Sequence, residues 1–184
     1  MTKIGIFFGT DTGTTRKMAK TMYKELGEDL ADKPLNINRV DAETLSGYDF
    51  LILGTPTYGH GELPGLSADC QEESWEEFMP NFDDIDLSGK KVALFGLGDQ
   101  VNYSEEFVDG LAELYEAVVE TGATLVGRWP TEGYSFEASA ADDGGEFFGL
   151  VLDNDNQSNL HANRISQWLD KVKQEMGITE AAIA

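Results

Sequence analysis

The amino-acid sequence predicts an α/β fold in which a doubly wound, five-stranded parallel sheet carries helices on both faces and an insertion interrupts its last strand. Two patterns predict it: short apolar runs without alternation, as expected of strands buried on both faces, and amphipathic helical stripes between them. The length of 184 residues, with 41% hydrophobic and 26% charged side chains, fits a single domain over residues 1–184 built on one compact core.

Lys3 to Phe8 is the first apolar run, and the helix after it carries Met18, Met22 and Leu26 on one stripe. Leu35 to Val40 alternates more and reads as a less buried strand. Phe50 to Gly54 is the next buried strand, followed by a helix with Trp75, Phe78, Met79 and Phe82 on one face. Val92 to Leu97 is a further strand, and Phe107, Leu111, Leu114 and Val118 mark the helix behind it. Thr124 to Gly127 and Phe147 to Leu152 supply the last strand in two pieces, separated by the polar, Gly- and Ala-containing stretch Glu132 to Gly145. A final helix presents Ile165, Trp168, Leu169, Val172 and Met176.

Ligands of such sheets sit beyond the carboxyl ends of the strands, at the topological switch point. Three loops lie there: Gly9 to Thr15, Thr55 to Glu62 and Gly98 to Tyr103. The first, Gly9-Thr10-Asp11-Thr12-Gly13-Thr14-Thr15, runs from strand to helix, where free backbone N–H groups and the helix dipole favour an anion and the threonine hydroxyls add donors. It lacks the lysine and the longer glycine spacing of a triphosphate loop, and the G-x-G-x-x-G of a dinucleotide fold. A monophosphate fits best, with a Thr-rich helix cap as the plainer reading. Gly9, Thr10, Gly54 and Thr55 stand where a phosphate-accepting receiver domain needs carboxylates. Gly65 to Asp69 imitates a serine-hydrolase elbow without its final glycine.

The second and third loops each carry a tyrosine, Tyr58 and Tyr103, and two aromatic faces can sandwich a flat conjugated ring. Combined with a monophosphate cradle, the pair implies a planar heterocycle joined to one phosphate. Thr10-Asp11-Thr12-Gly13-Thr14-Thr15, Gly54-Thr55-Pro56-Thr57-Tyr58-Gly59 and Gly96-Leu97-Gly98-Asp99-Gln100 with Tyr103 resemble the three loops with which flavodoxins hold flavin mononucleotide (FMN). Phe148-Gly149-Leu150 and Asp153-Asn154-Asp155-Asn156-Gln157 resemble the end of that family, and the interrupted last strand resembles its long-chain subgroup. The lengthened segment Pro64 to Cys70 resembles flavodoxins that serve nitrogenase.

The resemblance implies the following roles. Thr10, Asp11, Thr12, Gly13, Thr14 and Thr15 form the phosphate loop, and Tyr58 and Tyr103 stack on the ring. Thr55, Pro56 and Thr57, with Gly98, Asp99 and Gln100, belong to the loops that meet the ribityl chain and ring edge, and Asp155 reaches the ribityl chain. The Gly59 carbonyl accepts a hydrogen bond from the N5 N–H of the half-reduced flavin, because glycine lets the Tyr58-Gly59 peptide turn. Asn102 stands where relatives often have glycine, and asparagine tolerates a left-handed backbone.

The chain carries 34 acidic against 13 basic residues, a net charge of −21, so nucleic acid and anionic membranes repel it and its partners are expected to be basic redox proteins. The resemblance implies a flavodoxin reductase or oxidoreductase as donor and the nitrogenase iron protein as a candidate acceptor. One cysteine, Cys70, and two histidines, His60 and His161, offer no internal disulfide and few soft metal ligands. Ile4 to Phe8, the apolar stretch nearest the start, is too short for a signal core or membrane span. These features read as a cytoplasmic monomer. The resemblance implies a low-potential one-electron carrier cycling mainly between semiquinone and hydroquinone, with no substrate of its own. An FMN-dependent quinone reductase of similar fold and a cofactor-free interaction module are the alternatives.

Overall fold

The computed structural model describes residues 3–178. In chain order the elements are β1 (Ile4–Phe8), α1 (Thr14–Leu26), β2 (Leu35–Asn36), α2 (Ala42–Ser46), β3 (Phe50–Thr55), α3 (Trp75–Phe78), β4 (Lys91–Leu97), α4 (Asp109–Glu120), β5 (Thr124–Val126), β6 (Trp129–Pro130), β7 (Asp142–Asp143), β8 (Glu146–Phe147), β9 (Leu150–Leu152) and α5 (His161–Met176). The main sheet is parallel, in the order β2-β1-β3-β4-β5. β5 pairs with Lys91–Ala93 at the start of β4, and β9 pairs with Phe95–Leu97 at its end. The two short segments thus share the outer position beside β4, which is the interrupted last strand expected from the sequence.

The unbroken apolar runs become central strands because both faces are covered, so every side chain along them meets protein. Ile4, Ile6, Phe8, Ile52, Ala93, Phe95, Leu150 and Leu152 point to one face, where Ala19 and Met22 of α1 and Ile165, Trp168, Leu169 and Val172 of α5 cover them. Phe7, Leu51, Leu53, Val92, Leu94 and Val151 point to the other, against Trp75 and Phe78 of α3 and Leu111, Leu114 and Val118 of α4. This layering leaves the carboxyl ends of β1, β3 and β4 uncovered, and the three loops named above start there.

Five sequence readings change. Phe147 to Leu152 joins the main sheet only at Leu150–Leu152, because Glu146–Phe147 pairs antiparallel with β6 and β7 instead. Leu35 to Val40 is a strand only at Leu35–Asn36: the Asn36 side chain accepts a hydrogen bond from the Asn38 N–H at 3.2 Å and turns the chain into a 3₁₀ turn over Ile37–Arg39. The helix over Trp75 to Phe82 is α-helical only to Phe78 and continues as a 3₁₀ turn over Met79–Asp83, because Pro80 supplies no N–H. Its aromatic stripe still packs, with Trp75 and Phe82 stacked at 6.1 Å between ring centroids. Phe107, read as helical, precedes α4, whose N-terminus follows Val108 at φ 51°. Asn102 does not adopt a left-handed backbone; among the described residues, the positive-φ positions other than glycine are Asp69 and Val108.

The excursion is more than a polar loop. With the residues that flank it between β5 and β9 it forms a small antiparallel sheet, β6-β8-β7; Ala141 within it and the fully buried Phe147 just after it enter the core. Phe107, Tyr134, Phe136 and Phe147 pack as one aromatic group with centroid separations of 5.3–6.2 Å. The Tyr134 hydroxyl donates to the Val151 carbonyl at 2.6 Å, accepts from the Trp129 indole at 3.1 Å, and its ring lies under the Arg164 guanidinium at 4.1 Å. Burial pushes the Tyr134 pKa up to about 12, so this pin stays neutral and intact at ordinary pH.

Candidate functional site

The three strand-end loops converge on one cleft of about 270 Å³, lined by Thr12, Thr14, Pro56, Thr57, Tyr58, Gly59, Leu97, Gly98, Asp99, Tyr103, Asn154 and Asp155. At one end it adjoins a second recess of about 220 Å³, bounded by Thr10, Asp11, Thr12, Gly13, Arg16, Gln71 and Glu72. The convergence follows from the parallel register of β1, β3 and β4, which brings their carboxyl ends side by side.

The first loop is shaped for an anion. Gly13 has φ 96°, a left-handed turn that an L side chain resists, and its N–H donates to the Thr10 hydroxyl at 3.0 Å. The turn aims the start of α1 at the cleft. Among the described residues, none accepts a hydrogen bond from the backbone N–H of Thr14, Thr15 or Arg16. Those donors sit at the positive end of the helix dipole beside the Thr12 and Thr14 side chains, an arrangement suited to a phosphate. The Asp11 carboxylate accepts from the Gln71 N–H at 3.0 Å, so it ties this loop to the chain immediately after the Pro64–Cys70 segment.

The second loop is a tight reversal. Tyr58 N–H donates to the Glu62 carbonyl at 2.9 Å and Glu62 N–H to the Tyr58 carbonyl at 2.7 Å, with Gly59 between them at φ 54°. Thr57 is fixed from behind, because its hydroxyl accepts from the Gly110 N–H in the first turn of α4 at 3.0 Å. Tyr58 is half-buried, and its phenol pKa is raised by that burial and by the nearby Asp11 charge. The tyrosine therefore presents a neutral ring to the cleft.

The third loop is organised by Asp99. Its carboxylate accepts from Val101 N–H and Asn102 N–H, each at 3.0 Å, and from the Asn102 and Asn156 side-chain amides at 2.8 Å. Burial pushes this carboxyl up, but the hydrogen bonds outweigh it and hold the pKa below the usual value, so Asp99 is ionised. Tyr103 N–H donates to the Asp99 carbonyl at 2.9 Å, which holds Tyr103, 52% exposed, at the outer wall.

Three of the residues expected in the site turn away from the cleft. Thr55 is fully buried and donates its hydroxyl proton to the Pro56 carbonyl at 2.9 Å. Thr15 is buried on the sheet side of α1, leaving its N–H as the group that faces the anion position. Gln100 is 6% exposed, and its amide is committed inward to Asp153 and to Ser135. Asn154 lines the cleft without having been singled out; its position beside Asp155 in the Asp153–Gln157 run was the available signal. Asp155 does line the cleft, and its pKa is raised by burial and by the charges of Asp99 and Asp153. Among the described residues, no group of three or more His, Cys, Asp or Glu side chains could hold a metal ion.

Two tyrosine faces, unpaired N–H donors at a helix start and an anionic far wall fit a flat heterocycle bearing one phosphate, which is the chemistry of FMN. The flavodoxin family model matches residues 6–168. The chain is 54% identical over 173 residues to a flavodoxin of Klebsiella pneumoniae, covering 94% of this chain and 98% of that one. It is 46% identical to flavodoxin 1 of Salmonella typhimurium, covering 96% of each. The solved structure of Fusobacterium nucleatum flavodoxin bound to flavin mononucleotide superposes with a TM-score of 0.85 at 36% identity, covering 95% of this chain and 99% of that one. Loops, cleft and matches along nearly the whole chain lead to one conclusion: this chain belongs to the flavodoxin family.

Proposed function

We propose that this chain, as one domain, binds one FMN noncovalently in the cleft and carries single electrons at low potential. The supporting observation is the meeting of two tyrosines with unpaired helix-start N–H groups in one cleft. Thr10 to Thr15 take the phosphate, Thr55 to Thr57 and Asp155 lie along the ribityl chain, and Tyr58 and Tyr103 flank the ring, with Gly98, Asp99 and Gln100 forming the loop at its edge. The Thr55 and Gln100 side chains are engaged elsewhere, and Asp153 also holds the Gln100 N–H, so these two residues shape their loops without reaching the ligand through their side chains. The flavin supplies the redox chemistry; the protein sets how readily each electron is accepted.

Two features of the chain support low-potential cycling between semiquinone and hydroquinone. The Gly59 carbonyl stands in a turn that glycine can rearrange, and it offers an acceptor for a protonated ring nitrogen. Asp99, Asp153 and Asp155 cluster at the cleft wall, and their negative charge opposes the anionic, fully reduced ring. The acidic surface favours basic redox partners: a reductase or oxidoreductase as donor and, on the strength of the Pro64–Cys70 extension, the nitrogenase iron protein as acceptor. We further propose a cytoplasmic monomer; among the described residues no helix is long and apolar enough to cross a membrane.

Titration of the apoprotein with FMN and with riboflavin, followed by flavin fluorescence, tests the reading. One FMN bound per chain, far more tightly than riboflavin, is the expected result. Equal affinities would contradict the phosphate cradle, and no binding of either would contradict the proposal.

A further inference from the structure

The cleft has one fully buried acidic side chain in its wall, Asp153, immediately after β9. It does not line the cleft. Instead its Oδ2 accepts from the Gln100 N–H at 3.0 Å and from the Gln100 side-chain amide at 2.7 Å. Its Oδ1 accepts from the Asn156 N–H at 3.1 Å, and the Asn156 amide spans both oxygens at 3.1 and 2.9 Å. That same Asn156 amide reaches the Asp99 carboxylate at 2.8 Å. Gln100 carries the connection outward, its Oε1 accepting from the Ser135 N–H of the excursion at 2.7 Å. One carboxylate therefore joins β9, the Asp99–Tyr103 loop, the Asn154–Asn156 loop and, through Gln100, the excursion.

A buried carboxylate is costly unless its oxygens are fully engaged with N–H donors, and here they are. It is an acceptor-only group, so it cannot be exchanged for an amide without setting an NH₂ against a facing donor. The two loops it joins carry Tyr103, Asp99, Asn154 and Asp155, four of the residues that line the cleft.

We propose that Asp153 is a positioning residue: its carboxylate locks the two loops into one preformed wall of the cleft, so that the ligand meets Tyr103 and Asp155 already in place. The proposal rests on the FMN reading for its affinity arm and on the chain alone for its loop-mobility arm. A preformed wall raises affinity because binding no longer has to order the loops.

The test compares wild-type apoprotein with Asp153→Asn and with Asn156→Ala, the latter an exposed residue whose loss cuts one arm of the network without opening the core. Amide hydrogen exchange is read at residues 99–103 and 154–156 against Phe50–Thr55 of β3 as an internal reference, and FMN and riboflavin affinities are measured in parallel. Exchange at both loops should quicken while β3 stays protected. Affinity for both ligands should fall by about 10-fold to 100-fold, the weakening expected when a buried hydrogen-bonded group loses its partner. Equal losses for FMN and riboflavin would place the defect in the ring wall and support the proposal. Unchanged loop exchange in both variants, or quickening that is uniform across β3 and the loops, would overturn it, the second because Asp153 would then serve only the stability of the fold. Wild-type protein that ignores FMN would sink the functional reading, while the exchange comparison would still judge the brace.

Discussion

At the scale of single residues, the site depends on a few backbone and burial effects. Gly59 holds φ 54°, and a Cβ there would lie 3.0 Å from the Glu62 carboxylate, so a side chain meets both a disfavoured backbone region and a close oxygen. Gly59→Ala should therefore hinder rearrangement of the Tyr58-Gly59 peptide and lower the maximum amount of semiquinone in a redox titration; an unchanged maximum would count against the role of this carbonyl. His161 gives a pH effect of definite sign. It is 8% exposed, its Nε2 lies 3.3 Å from the Asn154 Oδ1, and its pKa is lowered by burial and by the Arg164 charge, against a smaller opposing effect from Asp153. Below about pH 6.5, the ordinary imidazole value, the unfolded chain takes up a proton that the folded chain resists, so stability falls with acid until the folded pKa is passed. Urea unfolding of wild type and His161→Asn should show the wild type losing its relative advantage as pH drops from neutral. A difference that does not vary with pH would contradict this.

At the scale of elements, what was legible followed from the physics of each segment. Strands β1, β3 and β4 were readable because two-sided burial demands apolar residues at every position. The end of β2 was hidden, since a side-chain cap at Asn36 outweighs alternation. Pro80 was in plain view but did not erase the helical spacing of Trp75, Phe78 and Phe82, which a 3₁₀ turn preserves closely enough to pack. The excursion and the chain just after it were hardest to read, because Tyr134, Phe136 and Phe147 come at no regular period and are brought together by tertiary contact alone. Much of the cleft lining was visible as three loops at strand ends, whereas the network that Asp153 makes behind that lining was not, because a buried carboxylate has no periodic signature. Phe147, in β8 just after the excursion, offers the test of whether the excursion packs as core: it is fully buried among Phe107, Tyr134 and Phe136. Phe147→Ala should lower the unfolding free energy of the apoprotein by roughly 3–5 kcal/mol. A loss well below that in urea denaturation would mean that the excursion is a separable appendage.

At the scale of the whole molecule, two electrostatic effects act together. On the proposed function, the net charge of −21 would direct encounters toward basic partners and, near the cleft, would oppose a second electron on the ring. One carboxylate about 10 Å from a ring anion costs it roughly 1.7 kcal/mol at an effective dielectric near 20, about 70 mV for one electron. Electron transfer to a basic redox protein should therefore slow as salt rises, since the steering field is screened beyond about 10 Å at 0.1 M ionic strength; stopped-flow rates independent of salt would contradict steering. The central claim, that this chain is a one-electron FMN carrier, is tested most directly by stepwise anaerobic reduction of the purified protein under visible spectroscopy. A yellow form that passes through a blue neutral semiquinone to a pale, strongly reducing form is the expected result. Bleaching in one step with no blue species, or a colourless protein that refuses added FMN, would contradict it.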